Sequence, residues 1–260
     1  MSYYQCQMTA IDELNLSAKH DTHSIIIEGC PGSGKTYLAS QFSNMLEESV
    51  FVVIDPTVSD IRKMICDTSL ISNKTTLCIE NLDTGVPAAA YAILKVLEEP
   101  QPNLYLIITC RNLQRIPATI ISRSTVISVS SPTPNDILEY SKQFAEDKRA
   151  IIMNSMLWPA AKSFQDISML FTLPADKLQY LADLQINFNQ DNISTVMWNL
   201  GHYPDNTETN ISFVLRMLMI QSTSKEVRNI YLDAVHDIEE NRVASHAVIA
   251  KLLLTLKYAV

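Results

Sequence analysis

The sequence predicts an α/β fold: a parallel sheet followed by all-helical chain. Three observations carry this. Short apolar runs alternate with helical stretches over residues 24–130. A Gly-rich loop, Gly29–Thr36, stands between the first run and the first of those helices. After Ser131–Pro134 (SPTP) no further strand pattern occurs.

Residues 1–20 read as a polar helical lead-in. Ser24–Glu28 (SIIIE) is β-branched and closed by the Gly-rich turn, so it reads as a buried strand. Thr36–Leu46 follows as a helix. Val50–Ile54 (VFVVI) is a second strand, ended by Asp55–Pro56, and residues 57–70 are helical or irregular. Thr75–Glu80 (TTLCIE) is a third strand. Pro87–Glu98 is a helix with Ala88, Tyr91, Ala92, Leu94 and Val96 among its apolar positions, and Pro100 and Pro102 stop it. Leu104–Thr109 (LYLIIT) is a fourth strand, Pro117–Ser122 a short helical turn, and Thr125–Val129 (TVISV) a fifth strand. Nearly continuous apolar strands are what a parallel sheet covered on both faces requires.

Residues 135–172 then read as short helices. Residues 174–259 read as about five helices, broken near Asn189–Gln190, Gly201–Asn206, Ser222–Ser224 and Glu240–Asn241. The last repeats Val243, Ala247, Ile249, Leu252, Leu253 and Leu256 at near-helical spacing. The expected division is an α/β domain over 1–131, a small helical unit over 132–172 and a larger one over 173–260.

Composition narrows the function. Hydrophobic residues make up 47% of the 260, enough for a core, and the net charge of −8 disfavours a stand-alone reader of nucleic acid. The five cysteines, Cys6, Cys30, Cys66, Cys78 and Cys110, include no C-x-x-C pair, so no disulfide framework or zinc site is expected. The opening MSYYQCQMTAIDEL lacks a basic stretch followed by an apolar run, and no apolar segment approaches the length of a membrane span. A cytoplasmic protein without membrane contact is expected.

Gly29–Thr36 reads GCPGSGKT and fits G-x-x-x-x-G-K-[ST] in full. The loop Gly29, Cys30, Pro31, Gly32, Ser33, Gly34, Lys35 and Thr36 is therefore the candidate binding site for ATP. Its glycines let backbone N–H groups converge on phosphate oxygens. Lys35 is expected on the β- and γ-phosphates, and the Thr36 hydroxyl on Mg²⁺. An acid for Mg²⁺ is expected at a nearby strand end, where Glu80 stands; Asp83 is the alternative. Asn81 follows Glu80, where a catalytic base would be, and an amide cannot accept that proton.

Three further stretches carry a resemblance: residues 79–100 (IENLDTGVPAAAYAILKVLEEP), 106–110 (LIITC) and 117–124 (PATIISRS). With the loop, they resemble the AAA+ core of the bacterial DNA polymerase III clamp-loader family. Its pattern runs from an acidic strand end through an Ala-rich helix closing in L-E-E-P to P-T-I-x-S-R-C. The Ile-Glu-Asn strand end resembles delta-prime subunits more than the hydrolysing gamma/tau subunits. The resemblance implies a P-loop AAA+ domain, a helical lid and a helical collar. It implies partners as well: other clamp-loader subunits, a sliding clamp, and primer–template DNA within the assembly. It makes Arg123, of the S-R pair, an arginine finger that enters a neighbour's ATP site.

The chain departs from the family in places. Ser124 replaces the usual Cys, and the four-Cys zinc module between the second and third strands is absent. The γ-phosphate sensor falls on Cys110 or Arg111, with Thr109 beside it. Lys162 is the one candidate for a basic lid residue. Trp158 and Trp198 read as packing aromatics. Two other readings stand against the clamp-loader subunit: a self-sufficient motor subunit, against which Asn81 argues, and a P-loop kinase or solitary helicase-loader-like ATPase, against which L-E-E-P and S-R argue.

Overall fold

The structure is a computed structural model that describes residues 3–68, 73–182, 207–222, 224–239, 243 and 245–259. The chain divides into two compact units, residues 1–137 with 163–165, and residues 138–162 with 166–260.

In the first unit, strands β1 (Ser24–Gly29), β2 (Val50–Ile54), β3 (Thr75–Ile79), β4 (Leu104–Cys110) and β5 (Thr125–Val129) form one sheet in the order β2-β3-β4-β1-β5. Every pairing is parallel. The expected strands are all present, with ends within one residue. β3 and β4 are buried along their whole length, whereas the edge strand β2 leaves Val50 and Val53 exposed.

Period-two alternation sends side chains to two cores. Ile25 and Ile27 of β1, Cys78 of β3 and Ile107 of β4 pack with helices α1 (Met8–Lys19) and α2 (Lys35–Met45). Ile26, Leu77, Ile79, Leu106 and Ile108 pack on the other face with α3 (Val58–Thr68) and α4 (Pro87–Glu98). The polar lead-in expected over residues 1–20 needs correction. Ala10, Ile11, Leu14 and Ser17 of α1 are buried, a spacing that gives one helical face, and the helix covers the sheet. A short helix α5 (Ala118–Ile121) precedes β5, and α6 (Pro134–Ser141) follows it.

The second unit is helical: α7 (Glu146–Met153), α8 (Leu157–Ala160), α9 (Phe164–Thr172), α10 (Ala175–Ala182), α11 (Thr207–Gln221), α12 (Lys225–Glu239) and α13 (Ser245–Ala259). Phe213, Val214, Leu215, Met217 and Leu218 of α11 are all buried, as in a helix at the centre of its unit. Arg216 on α11 holds Asp166 and Glu239, each at 2.7 Å, and the Ser212 hydroxyl also donates to Glu239. The break expected at Ser222–Ser224 separates α11 from α12. Breaks expected at 189–190, 201–206 and 240–241, and Trp198, lie outside the described residues. On α13, among the described side chains, Val248 and Leu252 are buried, while Leu253 and Leu256 lie outside the described side chains; Val243 precedes the helix and is exposed. Among the described residues no helix is long and apolar enough to cross a membrane.

Candidate nucleotide site

The carboxyl ends of β1, β4 and β3 lie side by side, because β4 pairs with both of the others. That edge is where open parallel sheets bind ligands. It carries Gly29–Thr36 after β1, Thr109 and Cys110 on β4, and Glu80 and Asn81 after β3.

The loop bends through Gly32 (φ 70°) and Gly34 (φ 90°), a left-handed backbone that side chains rarely tolerate. Gly34 leads into α2, whose first residue is Lys35, so the helix N-terminus faces the loop. Lys35 is buried, and its Nζ donates to Gly29 O at 2.8 Å and Cys30 O at 2.9 Å. Burial lowers its pKa, and Arg111 lowers it further, while Cys30, Cys110 and Asp83 act in the opposite sense.

The Thr36 hydroxyl donates to Glu80 Oε1, so the two groups expected to serve Mg²⁺ face each other. A hydroxyl beside a carboxylate is a donor set suited to that hard cation, and the left-handed glycines and α2 N-terminus suit a polyphosphate. Asp83, in the turn Leu82–Thr84, contributes negative charge near Lys35 and Cys110.

Asn81 has a left-handed backbone (φ 47°, ψ 51°), and its N–H donates to Thr109 Oγ1 at 2.9 Å. Thr109 thus holds the Asn81 backbone. Cys110 is fully buried, and burial with the nearby Asp83 and Glu28 charges pushes its thiol up to about 12. Glu28 also accepts the Leu113 N–H at 3.0 Å.

Three contributors to the loop carry no motif. The Phe164 N–H donates to Gly32 O at 3.2 Å, and a Cβ on Gly32 would lie 2.6 Å from Ser163 Oγ. Phe164 also packs on Tyr4, ring centroids 4.8 Å apart. Gln7 Nε2 donates to Ser33 O at 3.1 Å. Lys162 is exposed, and its own N–H donates to Asp166 Oδ2 at 2.9 Å. Trp158, on α8, is half-buried.

Arg123 sits elsewhere on the sheet. It precedes β5, whose Thr125 pairs with Ile25 at the amino end of β1, while Val129 pairs with Gly29 at the loop. The intervening strand spans roughly 13 Å or more. Arg123 Nη1 donates to Thr119 O at 3.0 Å and Nη2 to Glu98 Oε1 at 3.2 Å. A cleft of about 370 Å³ opens beside it, lined by Ser24, Val96, Leu97, Pro100 and Ser124 among others. Ser124 Oγ donates to Ile120 O at 3.0 Å and meets Ser24 Oγ at 2.7 Å, polar work for the residue in place of Cys. His23 stacks on Tyr105 (4.9 Å) and bonds Leu104 O at 2.9 Å.

A family model described as "DNA polymerase III, delta subunit" matches residues 48–133. Over 85 residues the chain is 32% identical to DNA polymerase III subunit delta' of Haemophilus influenzae. That match spans 33% of this chain and 26%, about a quarter, of that protein. A DNA polymerase III gamma subunit-related protein of Thermotoga maritima superposes with TM-score 0.58 at 13% identity, covering 95% of this chain and 98% of its own. The Thermotoga maritima RuvB Holliday junction branch migration motor superposes with TM-score 0.53 at 17% identity, covering 95% and 81%. At such identities the likeness is one of fold.

Proposed function

We propose that this chain, whose residues 48–133 match the DNA polymerase III delta-subunit family model, is a delta-prime-like clamp-loader subunit that binds ATP and helps place a sliding clamp on primed DNA. The observation that carries this reading is the opposition of two motifs on one sheet. A full phosphate loop ends β1, and the S-R arginine lies at the other end of the same strand pair. Arg123 is too far from its own loop to serve it, which favours a role in a neighbour's site.

Gly29, Cys30, Pro31, Gly32, Ser33 and Gly34 would cradle the phosphates, and Lys35 would turn from the Gly29 and Cys30 carbonyls to meet them. Thr36 and Glu80 would hold Mg²⁺, which supplies charge neutralisation between the phosphates. Thr109 supports the strand end from behind. With Asn81 in place of a base, the chain's part is to bind nucleotide and to lend Arg123. Residues 132–172 would form a lid and 173–260 a collar that joins other loader subunits in the cytoplasm. A gamma/tau-like motor subunit is the second reading, favoured by the intact loop and the Thr36–Glu80 contact.

Two measurements test the proposal together. Calorimetry with Mg-ATP should give binding that Lys35→Ala weakens tenfold or more, since a charge-assisted contact of roughly 1.5–3 kcal/mol is lost. The chain should also capture loader subunits from its native source, with the clamp retained through them. Equal affinity of wild type and Lys35→Ala would overturn the nucleotide reading. Absence of loader subunits would overturn the assembly reading.

A further inference from the structure

We infer that Gln7 is a positioning residue of the phosphate loop, and that Asp136 holds Gln7 in place. The inference rests on the reading of Gly29–Thr36 as a nucleotide site and adds to it two residues that no motif contains.

Gln7 is 1% exposed, and its Nε2 donates to Ser33 O at 3.1 Å. The same amide lies against Gly34, where a Cβ would come within 2.4 Å of Nε2. The peptide unit is rigid and trans, so the carbonyl of Ser33 and the N–H of Gly34 point in opposite directions. Holding that carbonyl from one side fixes the aim of the Gly34 N–H on the other. A phosphate loop works through the aim of such N–H groups. The preceding carbonyl, Gly32 O, is held in the same way by the Phe164 N–H.

Gln7 lies in a single three-residue 3-10 turn, Gln5–Gln7, that has no side-chain cap of its own. Such a turn needs support from outside. Asp136 supplies it: Oδ1 accepts the Gln5 N–H at 2.7 Å, and the Cys6 N–H also bonds this carboxylate. The Asp136 Oδ2 is fixed by the Thr133 N–H at 2.9 Å and the Thr133 hydroxyl at 2.6 Å, at the start of α6. A continuous path therefore runs from α6 through the turn to the loop.

A further observation separates this role from plain packing. Gln7 Oε1 is buried and has no hydrogen-bond partner among the described residues. Burying an amide half-bonded costs stability, so an apolar side chain of similar length should fold no worse. Stability and nucleotide affinity should therefore part company at this position.

The test uses the full chain and Mg-ATP, with wild type and Lys35→Ala as references. Gln7→Met should weaken Mg-ATP binding by about tenfold, the scale of one lost hydrogen bond, with a melting temperature within roughly 2 °C of wild type or above it. Gln7→Glu keeps the shape and loses the donor at neutral pH. Its deficit relative to wild type should shrink as pH falls and the carboxyl regains a proton. Asp136→Asn should act in the same direction, and the double variant with Gln7→Met should lose no more than Gln7→Met alone. Wild-type affinity in Gln7→Met overturns the inference alone, as does weaker binding that follows a fallen melting temperature. Wild-type binding no tighter than that of Lys35→Ala overturns the nucleotide reading and the inference with it.

Discussion

Glu98 and Arg123, one from L-E-E-P and the other from S-R, meet at 3.2 Å across 25 positions of sequence. Both are well exposed, with side chains 38% (Arg) and 55% (Glu) accessible, so the pair is worth only about 0–1 kcal/mol. A contact that weak holds the guanidinium near the helix end and, on the proposed reading, would yield to a neighbour's more highly charged triphosphate.

Arg123→Ala should therefore leave this chain's own ATP affinity unchanged and its assembly with loader partners intact. The assembled loader's clamp- and DNA-stimulated ATPase should fall. A finger contributes on the order of 10³–10⁵ in rate at one site, though other sites dilute the bulk loss. Lysine should rescue poorly, lacking the planar fork. Mutant chain mixed with wild-type partners, assayed at steady state after gel filtration, checks this. Full activity would return Arg123 to a surface role.

The isolated chain should turn ATP over far below ~1 s⁻¹, the low end of ordinary enzyme rates. Asn81 offers no carboxylate, and its backbone is held left-handed by Thr109. A phosphate-release assay on the purified chain checks it, and turnover near ~1 s⁻¹ would favour the motor-subunit reading.

Asp136 predicts a pH dependence. Burial alone would raise its pKa, but hydrogen bonds from Thr133, Gln5 and Cys6 outweigh that and hold it below the ordinary carboxylate value. A carboxylate lowered in the folded state contributes stability above its unfolded pKa of about 3.9. That contribution is lost as pH falls through the folded value. Urea midpoints of wild type and Asp136→Asn should thus differ most near neutral pH and converge in acid below roughly pH 4. A gap that stays constant with pH would show that the charge plays no part.

In the helical unit, Arg216 is 11% exposed and Asp166 2%, so removing the cation leaves a buried carboxylate without its counter-ion. Arg216→Met should destabilise that unit by about 3–5 kcal/mol, read by urea denaturation. A loss under ~1 kcal/mol would mean the pair is solvated in practice. Ending the chain near residue 172 would bare Asp166 in the same way, so a test of the collar by truncation needs a folding control.

Much of the sheet was legible because its strands are buried on both faces and so are apolar almost without interruption, as in Leu104–Cys110. The meeting of Thr36 with Glu80 followed from the loop motif and a strand ending in acid. The role of α1 was missed because Asp12, Glu13 and Asn15 mask a face of only Ala10, Ile11, Leu14 and Ser17. Gln7 gave no signal at all, since its partner is a backbone carbonyl 26 residues away. Thr133 and Asp136 could have been read as a helix-capping pair, but the reach of Asp136 to Gln5 exists only in three dimensions. Lys162 carries the charge that a sequence pattern can show, whereas it is Ser163 and Phe164, next in sequence, that touch the loop.

The placement of the loop and Arg123 at opposite ends of β1 and β5 has a consequence for symmetry. On the proposed reading, each copy or relative gives at one end and receives at the other. Loop and arginine would then face different neighbours in a head-to-tail array. Such an array is heterologous, and it either closes into a ring or stops with a free end. If it stops, one terminal chain keeps an arginine with no site to enter, and the other keeps a site that no arginine enters. On the proposed reading, an open array would therefore have a first and a last member, set by the direction of the strands.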